Sequence, residues 1–214
     1  MSEYLQNPLQ PQQFRTADRF AELALKEKGS EFIARVFPLF GGESYPTHLT
    51  ALRKKYYDAT HHCFAVKTLK EGVKYSDDGE PGGTAGVRIL QAIDHFDLTE
   101  VLVVVTRYYG GTKLGVGPLG KAYYQSALDA LSTIGTKEYH LYAKMRITFP
   151  HEFISNFYRI SGRYSVRKED EIYLEEVEQI FWIRSDQTDS LRTELTESFS
   201  GRVKFKDMEE FGYY

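Results

Sequence analysis

The sequence predicts an α+β protein of two domains, residues 1–137 and 138–214, and three observations carry that expectation. Strand-type and helix-type patterns interleave along the 214 residues instead of segregating. From Tyr139 onward the order of patterns is β-α-β-β-α-β over about 70 residues, the ferredoxin-like arrangement. Between the two textures, Gly135-Thr136-Lys137 reads as a short link.

In chain order, residues 1–13 hold two prolines and four glutamines and read as an extended or loosely ordered lead-in. Phe20 to Leu25 and Glu31 to Leu39 alternate in strand fashion about Lys28-Gly29-Ser30, which predicts a β-hairpin; a helix over 17–28 is the competing pattern. Ser44 or Thr47 is placed to cap a helix through Leu49, Leu52, Tyr56 and Tyr57, with Arg53, Lys54 and Lys55 outward. Ala59 to Leu69 reads as a strand in which His62, Phe64 and Val66 alternate against His61, Cys63 and Ala65. Lys74 to Gly86 is turn-dense, and Val87 to Phe96 places Val87, Leu90 and Ile93 on one helical face. Val101 to Val105 is short, apolar and β-branched, the mark of a buried strand. A glycine-rich turn follows, then a helical pattern from Lys121 to Ile134. In the second domain, 139–149 reads as a strand and 151–163 as a helix ended by Gly162. Strands at 165–169 and 177–184, a helix over 185–201 and a final strand at 202–208 complete it.

Composition excludes several classes. With 42% hydrophobic and 27% charged residues the chain is an ordinary globular one. A formal net charge of -3 provides no global field for nucleic acid or an anionic membrane, so any such contact needs a local patch. The single cysteine, Cys63, rules out an internal disulfide framework and a multi-cysteine zinc site. There is no cationic start followed by an apolar stretch, and no apolar run approaches the roughly 20 residues of a membrane span. A cytoplasmic protein without membrane contact is expected.

Two glycine-rich segments carry the chemistry. Ser76-Asp77-Asp78-Gly79-Glu80-Pro81-Gly82-Gly83-Thr84 packs three carboxylates into four positions. Carboxylates that close repel unless a cation or hydrogen-bond donors compensate, which makes Asp77, Asp78 and Glu80 candidate ligands of a divalent ion. The plainer reading, and the favoured one, is an Asx-type turn with Thr84 capping the helix. The second segment, Thr106 to Gly120, holds five glycines, the cations Arg107 and Lys113, and the tyrosines Tyr108 and Tyr109 in fifteen residues. Its spacing fits neither the Walker pattern nor a dinucleotide GxGxxG. Arg107, Lys113 and Lys121 are candidate phosphate contacts, Tyr108 and Tyr109 candidate stacking platforms, and Gly110 and Gly111 organisers of the turn. The structural alternative pairs Arg107 with Asp77, Asp78 or Glu80. His61 and His62 are neighbours on a strand, so they face opposite ways and cannot hold one ion together. Cys63 is expected to be a small core residue.

The motifs ATHHC (59–63), SDDGEPGGTAG (76–86) and VVVTRYYGGTKLGVGPLGKAY (103–123), in that order, resemble the IMPACT family in its bacterial, YigZ-like, two-domain form. That resemblance implies a first domain like the second domain of ribosomal protein S5, a mixed sheet with helices on one face. It implies a second domain like domain V of the translocase elongation factors. The pairing implies contact with the ribosome or structured RNA. Eukaryotic members of the family regulate translation through a partner held by an added N-terminal domain, for which this chain has no room, so that partner is not carried over. Relatives commonly read GGLVRAY where this chain has Gly117-Pro118-Leu119-Gly120-Lys121-Ala122-Tyr123. Pro118 removes one amide donor but suits a first helical turn, and Lys121 keeps the cation.

The function expected is therefore that of a non-enzymatic, translation-associated regulator. It would bind RNA or a ribosomal surface through Arg107, Tyr108, Lys113 and Lys121. Asp77, Asp78, Glu80, Thr84, Gly110 and Gly111 would shape the site, no cofactor is expected, and protein partners are left open. The alternative is a metal-dependent enzyme handling phosphate or nucleotide, with Asp77, Asp78 and Glu80 on the ion and His61, His62 or Asp78 moving protons.

Overall fold

Eight consecutive residues, Val101–Tyr108, form the middle strand of the first sheet, and all but Tyr108 are buried. A strand covered on both faces must be apolar on both, which is why this run does not alternate. The computed structural model describes residues 10–214, so residues 1–9 of the expected lead-in lie outside the described residues.

The chain forms two units, one of Phe14–Glu138 and one of Tyr139–Tyr214 with residues 10–13. The first unit runs β1 (Gln13–Ala17, whose first residue belongs to the second unit), β2 (Ala21–Glu27), β3 (Ser30–Pro38), α1 (Tyr45–Lys55), β4 (His61–Thr68), β5 (Gly72–Ser76), α2 (Gly86–His95), β6 (Val101–Tyr108) and α3 (Val116–Ser132). The sheet order is β2-β3-β6-β4-β5, and each of these four pairings is antiparallel. The register sets His61 opposite Arg107, His62 opposite Thr106 and Cys63 opposite Val105. Because successive side chains alternate, the sheet has two chemically distinct faces. On one, Cys63, Ala65, Val103 and Val105 pack against Ile89 and Ile93 of α2 and Tyr123 and Ala127 of α3. On the other, Val66, Leu102 and Val104 pack against Leu49 and Leu52 of α1.

The second unit contains β7 (Thr136–Phe149, whose first three residues belong to the first unit), α4 (Ile154–Ser161), β8 (Val166–Tyr173), β9 (Val177–Arg184), α5 (Thr188–Ser198) and β10 (Lys204–Tyr213). Within this unit β7 pairs with β10 and with β9, and β9 pairs with β8, so β10, β7, β9 and β8 are the fourth, first, third and second strands of a ferredoxin-like βαββαβ unit. β1 also joins β7 in the same five-stranded sheet. Both helices bury one face against the sheet through Phe157, Ile160, Leu191 and Leu195. Phe149 makes ring contacts with Phe157 and Phe199, at centroid distances of 5.3 and 5.2 Å.

The α+β class, the 20–39 hairpin and the ferredoxin-like order hold, and the competing helix at 17–28 does not form. Several details are corrected. The first sheet is antiparallel in its named pairings, not mixed, and α1 covers the face opposite α2 and α3. Lys74 to Ser76 belongs to β5, and β1 is a strand that the polar lead-in concealed. α3 starts at Val116, five residues before the pattern suggested, with Pro118 inside its first turn where a missing amide costs nothing. β10 runs on to Tyr213.

Candidate functional site

The parity of β4 and β6 decides which of the motif side chains meet. Arg107, on the α2–α3 face, is 5% exposed and its Nη1 donates to Glu80 Oε1 at 2.6 Å. The Tyr123 hydroxyl donates to the same oxygen at 2.7 Å, and Arg107 Nη2 donates to Ser30 Oγ at 3.3 Å. His61 approaches from the neighbouring strand, with Nδ1 2.7 Å from the Asp78 carbonyl and Nε2 3.9 Å from Glu80 Oε2. Cys63 lies beneath, 3.4 Å from the Tyr123 hydroxyl, with its thiol donating to the Asp77 carbonyl at 3.0 Å. Burial pushes the Cys63 thiol up to about 12, so it stays protonated and is no nucleophile. Burial likewise raises the Tyr123 phenol, keeping it a neutral donor to Glu80. These side chains make a buried cluster that ties the two motif segments together, with the buried Arg107 Nε left without a hydrogen-bond partner among the described residues.

The three carboxylates separate, each to its own donors. Asp77 accepts from the amides of Gly83, Ala85 and Gly86, each at 2.8 Å. Burial pushes its pKa up, but those three amides outweigh it and hold the carboxyl below its ordinary range. Asp77, not Thr84, therefore caps α2; the Thr84 hydroxyl donates instead to the Pro81 carbonyl at 2.6 Å. Asp78 sits at φ 45°, followed by Gly79 at φ 90°, and this left-handed pair turns its carboxylate away from Asp77. It accepts from the His62 amide at 2.6 Å and from Arg53 of α1 at 2.7 Å. Among the described residues, no three metal-capable side chains converge.

The opposite sheet face holds a second buried cation. Arg35 is 2% exposed; it donates to Glu22 at 2.6 Å and to the Thr106 hydroxyl at 2.9 Å, and stacks over Tyr56. Since Thr106 accepts from Arg35, its own proton is directed to His62 Nδ1 at 3.2 Å, which leaves Nε2–H donating to the Tyr56 carbonyl at 3.1 Å. Burial lowers the His62 pKa over the opposing pull of that carbonyl, so the ring is neutral. Tyr108 shares this face, donating to Asp58 at 3.2 Å, and so is not beside Arg107. His61 and His62 thus serve separate clusters.

The glycine segment owes its path to a close approach. A Cβ on Gly110 would lie 1.9 Å from the Gly29 carbonyl carbon, so the loop can cross the β2–β3 turn only as glycine. The Gly110 amide donates to Ser30 Oγ, the atom that also holds Arg107. Gly111 is left-handed at φ 82°, and Lys113 beyond it is exposed.

Beside this cluster the two segments form a cleft of about 770 Å³, running between α2 and α3. Gly82, Gly83 and Thr84 of the acidic motif line one end, and Gly117, Gly120 and Lys121 of the glycine motif line the facing wall. Arg88, Gln91 and His95 complete it from α2, and Tyr124 from α3. Among the described residues, no carboxylate lines it. Arg88 and Lys121 form no ion pair among the described residues, and Arg88 donates only to Gln91 at 3.1 Å. Of the residues expected from the motifs, Thr84 and Lys121 reach the cleft; Arg107, Tyr108 and Lys113 do not. Arg88, Gln91, His95 and Tyr124 were missed, although 88, 91 and 95 recur at the i, i+3, i+7 spacing of one helical face.

Residues 28–131 match the family model described as the Impact N-terminal domain. The chain is 29% identical over 182 residues to IMPACT family member YvyE of Bacillus subtilis (strain 168), covering 84% of each. It is 37% identical over 114 residues to IMPACT family member YigZ of Escherichia coli (strain K12), covering 51% of this chain and 56% of that one. Protein IMPACT of Mus musculus is 34% identical over 98 residues, which cover 42% of this chain and 30% of the mouse protein. A solved structure described as "Crystal structure of an hypothetical protein" superposes with a TM-score of 0.63 at 24% identity, over 94% of this chain and 100% of that one, and shows the fold alone. No helix among the described residues is long and apolar enough to cross a membrane.

Proposed function

Because the chain belongs to the IMPACT family, we propose that it is a cytoplasmic, translation-associated regulator that binds RNA, free or on a ribosomal surface. In this proposal residues 1–137 form the binding domain and residues 138–214 a ferredoxin-like companion. The observation that carries it is the cleft between α2 and α3, where the two motif segments meet over cations that no carboxylate neutralises. In a chain of net charge -3, several arginines are already matched, as Arg107 is by Glu80 and Arg53 by Asp78. Arg88 and Lys121 are left to face solvent in a concavity, and Lys113 stands exposed on the neighbouring loop. Unmatched cations in a groove attract phosphates and release their counterions. The sealed cluster of Arg107, Glu80 and Tyr123 holds the walls in place, so organiser and contact residues are different groups.

Gel shift and ribosome co-sedimentation across a salt series test this. Binding at low salt should fall linearly on logarithmic axes, and Arg88→Ala with Lys121→Ala should reduce the slope by about one for each phosphate no longer neutralised. Failure of the intact chain to bind structured RNA, single-stranded RNA or ribosomes at low salt would overturn the proposal.

A further inference from the structure

The cleft is more specific than a basic patch, because its two walls carry different chemistry in register. Along α3, Gly117, Lys121 and Tyr124 lie on one face, and along α2, Arg88, Gln91 and His95 do the same. At 1.5 Å per residue each wall is about 10 Å long. The cations gather towards one end, where Arg88 lies over Gly120; a Cβ on Gly120 would come within 3.3 Å of Arg88 Nε. One turn further on stands the Tyr124 ring, half-buried against the core on one side and lining the cleft on the other. The Gln91 amide projects from the facing helix, held at its oxygen by Arg88 and with its nitrogen as a remaining donor. Charge, an aromatic platform and an amide in that succession match one nucleotide, read as phosphate, base face and base edge. A duplex buries its base faces and presents none to such a platform.

We propose that the α2–α3 cleft is a single-nucleotide subsite for unpaired RNA, with Arg88 and Lys121 on a phosphate, Tyr124 under the base and Gln91 at its edge. The assignment rests on the RNA-binding reading above and goes beyond it in naming single-stranded RNA and the stacking residue. It also gives the loop tyrosines no part: Tyr108 is engaged by Asp58, and the Tyr109 ring lies 5.5 Å from the Arg107 guanidinium.

Fluorescence anisotropy with labelled oligouridylate, its duplex with oligoadenylate, and an abasic ribose-phosphate oligomer of equal length tests it on the full chain. The intact protein should prefer the single strand to both other probes. Tyr124→Ala should weaken single-strand binding about 5- to 150-fold, the effect that follows removal of one stacking ring, while leaving the salt slope unchanged. Tyr124→Phe should bind like the parent, and Tyr124→Leu, which keeps the core contact, should bind like Tyr124→Ala. Equal affinity for the abasic oligomer, or a Tyr124→Leu protein that binds normally, would overturn the subsite while leaving RNA binding standing. No binding of any probe or ribosome by the intact protein would remove both.

Discussion

Arg107 and Arg88 are both cations of the first unit, in or beside the two motif segments, yet the fold uses them in opposite ways. Arg107 is sealed beneath Glu80, with Tyr123 and Ser30 closing around it, whereas Arg88 lies in an open cleft with only the Gln91 amide as partner. A guanidinium taken out of water must be matched by a carboxylate and further acceptors, and one left at the surface need not be. The difference teaches that the most conspicuous charges in a glycine-rich motif can be its framework. The charges available to a ligand then come from a neighbouring helix with no motif of its own.

If the sealed half is a framework, Glu80→Ala should be the most damaging change. It strands Arg107 and deprives Tyr123 of its acceptor, and the expected destabilisation is about 3–5 kcal/mol by urea denaturation. Replacing Glu80 and Arg107 together with apolar residues of similar volume should cost less than Glu80→Ala alone, the signature of an uncompensated buried charge. A destabilisation below about 1 kcal/mol for Glu80→Ala would break the contrast.

Next in size is Gly110→Ala. The new methyl would have to displace the Gly29 backbone, at a cost of about 1–3 kcal/mol, again measured by denaturation. Gly117→Ala has nothing within 4 Å and serves as the matched control.

The third effect is a pH dependence. His62 has its pKa lowered by burial, so the folded chain keeps it neutral where the unfolded chain would protonate it. Its contribution to stability is complete above the unfolded value of about 6.5 and is withdrawn as pH falls below it. Thermal melts between pH 7.5 and 5 should lose stability, and His62→Gln should flatten that slope; an unchanged slope would show that the ring is not held neutral. Smallest of all, Arg88→Ala and Lys121→Ala should shift stability by no more than about 0.5 kcal/mol, because neither is matched to an acid. A larger destabilisation would mean that the cleft cations are framework after all.

Much of this was legible in the sequence, wherever a local rule decided the outcome. Alternation in 59–69 put His61 and His62 on opposite faces, and the valine run declared a strand buried on both. The pairing of Arg107 with a carboxylate of the acidic loop was among the open readings, and Glu80 is the partner. What escaped was decided by tertiary packing. Thr84 has the residue type and position of a cap, but Asp77 reaches the same amides from across the turn, eight and nine residues before Ala85 and Gly86. The α3 start was hidden because Gly117, Pro118 and Gly120 look like loop residues; the helix forms there because Leu119, Ala122 and Tyr123 are buried by it. The favoured turn reading of the three carboxylates did not show how they part: Asp77 and Asp78 accept from backbone amides, and a left-handed Asp78 separates them. The cleft itself is a property of two helices packed side by side, which neither helix displays alone.

Ser30 has a consequence for how this surface moves. Its single hydroxyl oxygen is shared by Arg107 and the Gly110 amide, so one end of the exposed loop is fastened to a residue with no solvent access. The buried side chain of Leu114 fastens the other end, with a left-handed Gly111 opening the span between and a left-handed Gly115 just beyond it. Lys113 therefore rides on an exposed strap of three residues between two fixed ends. In amide exchange, Gly110 should behave like the interior while Thr112 and Lys113 keep pace with solvent, a boundary drawn between adjacent turns of one loop.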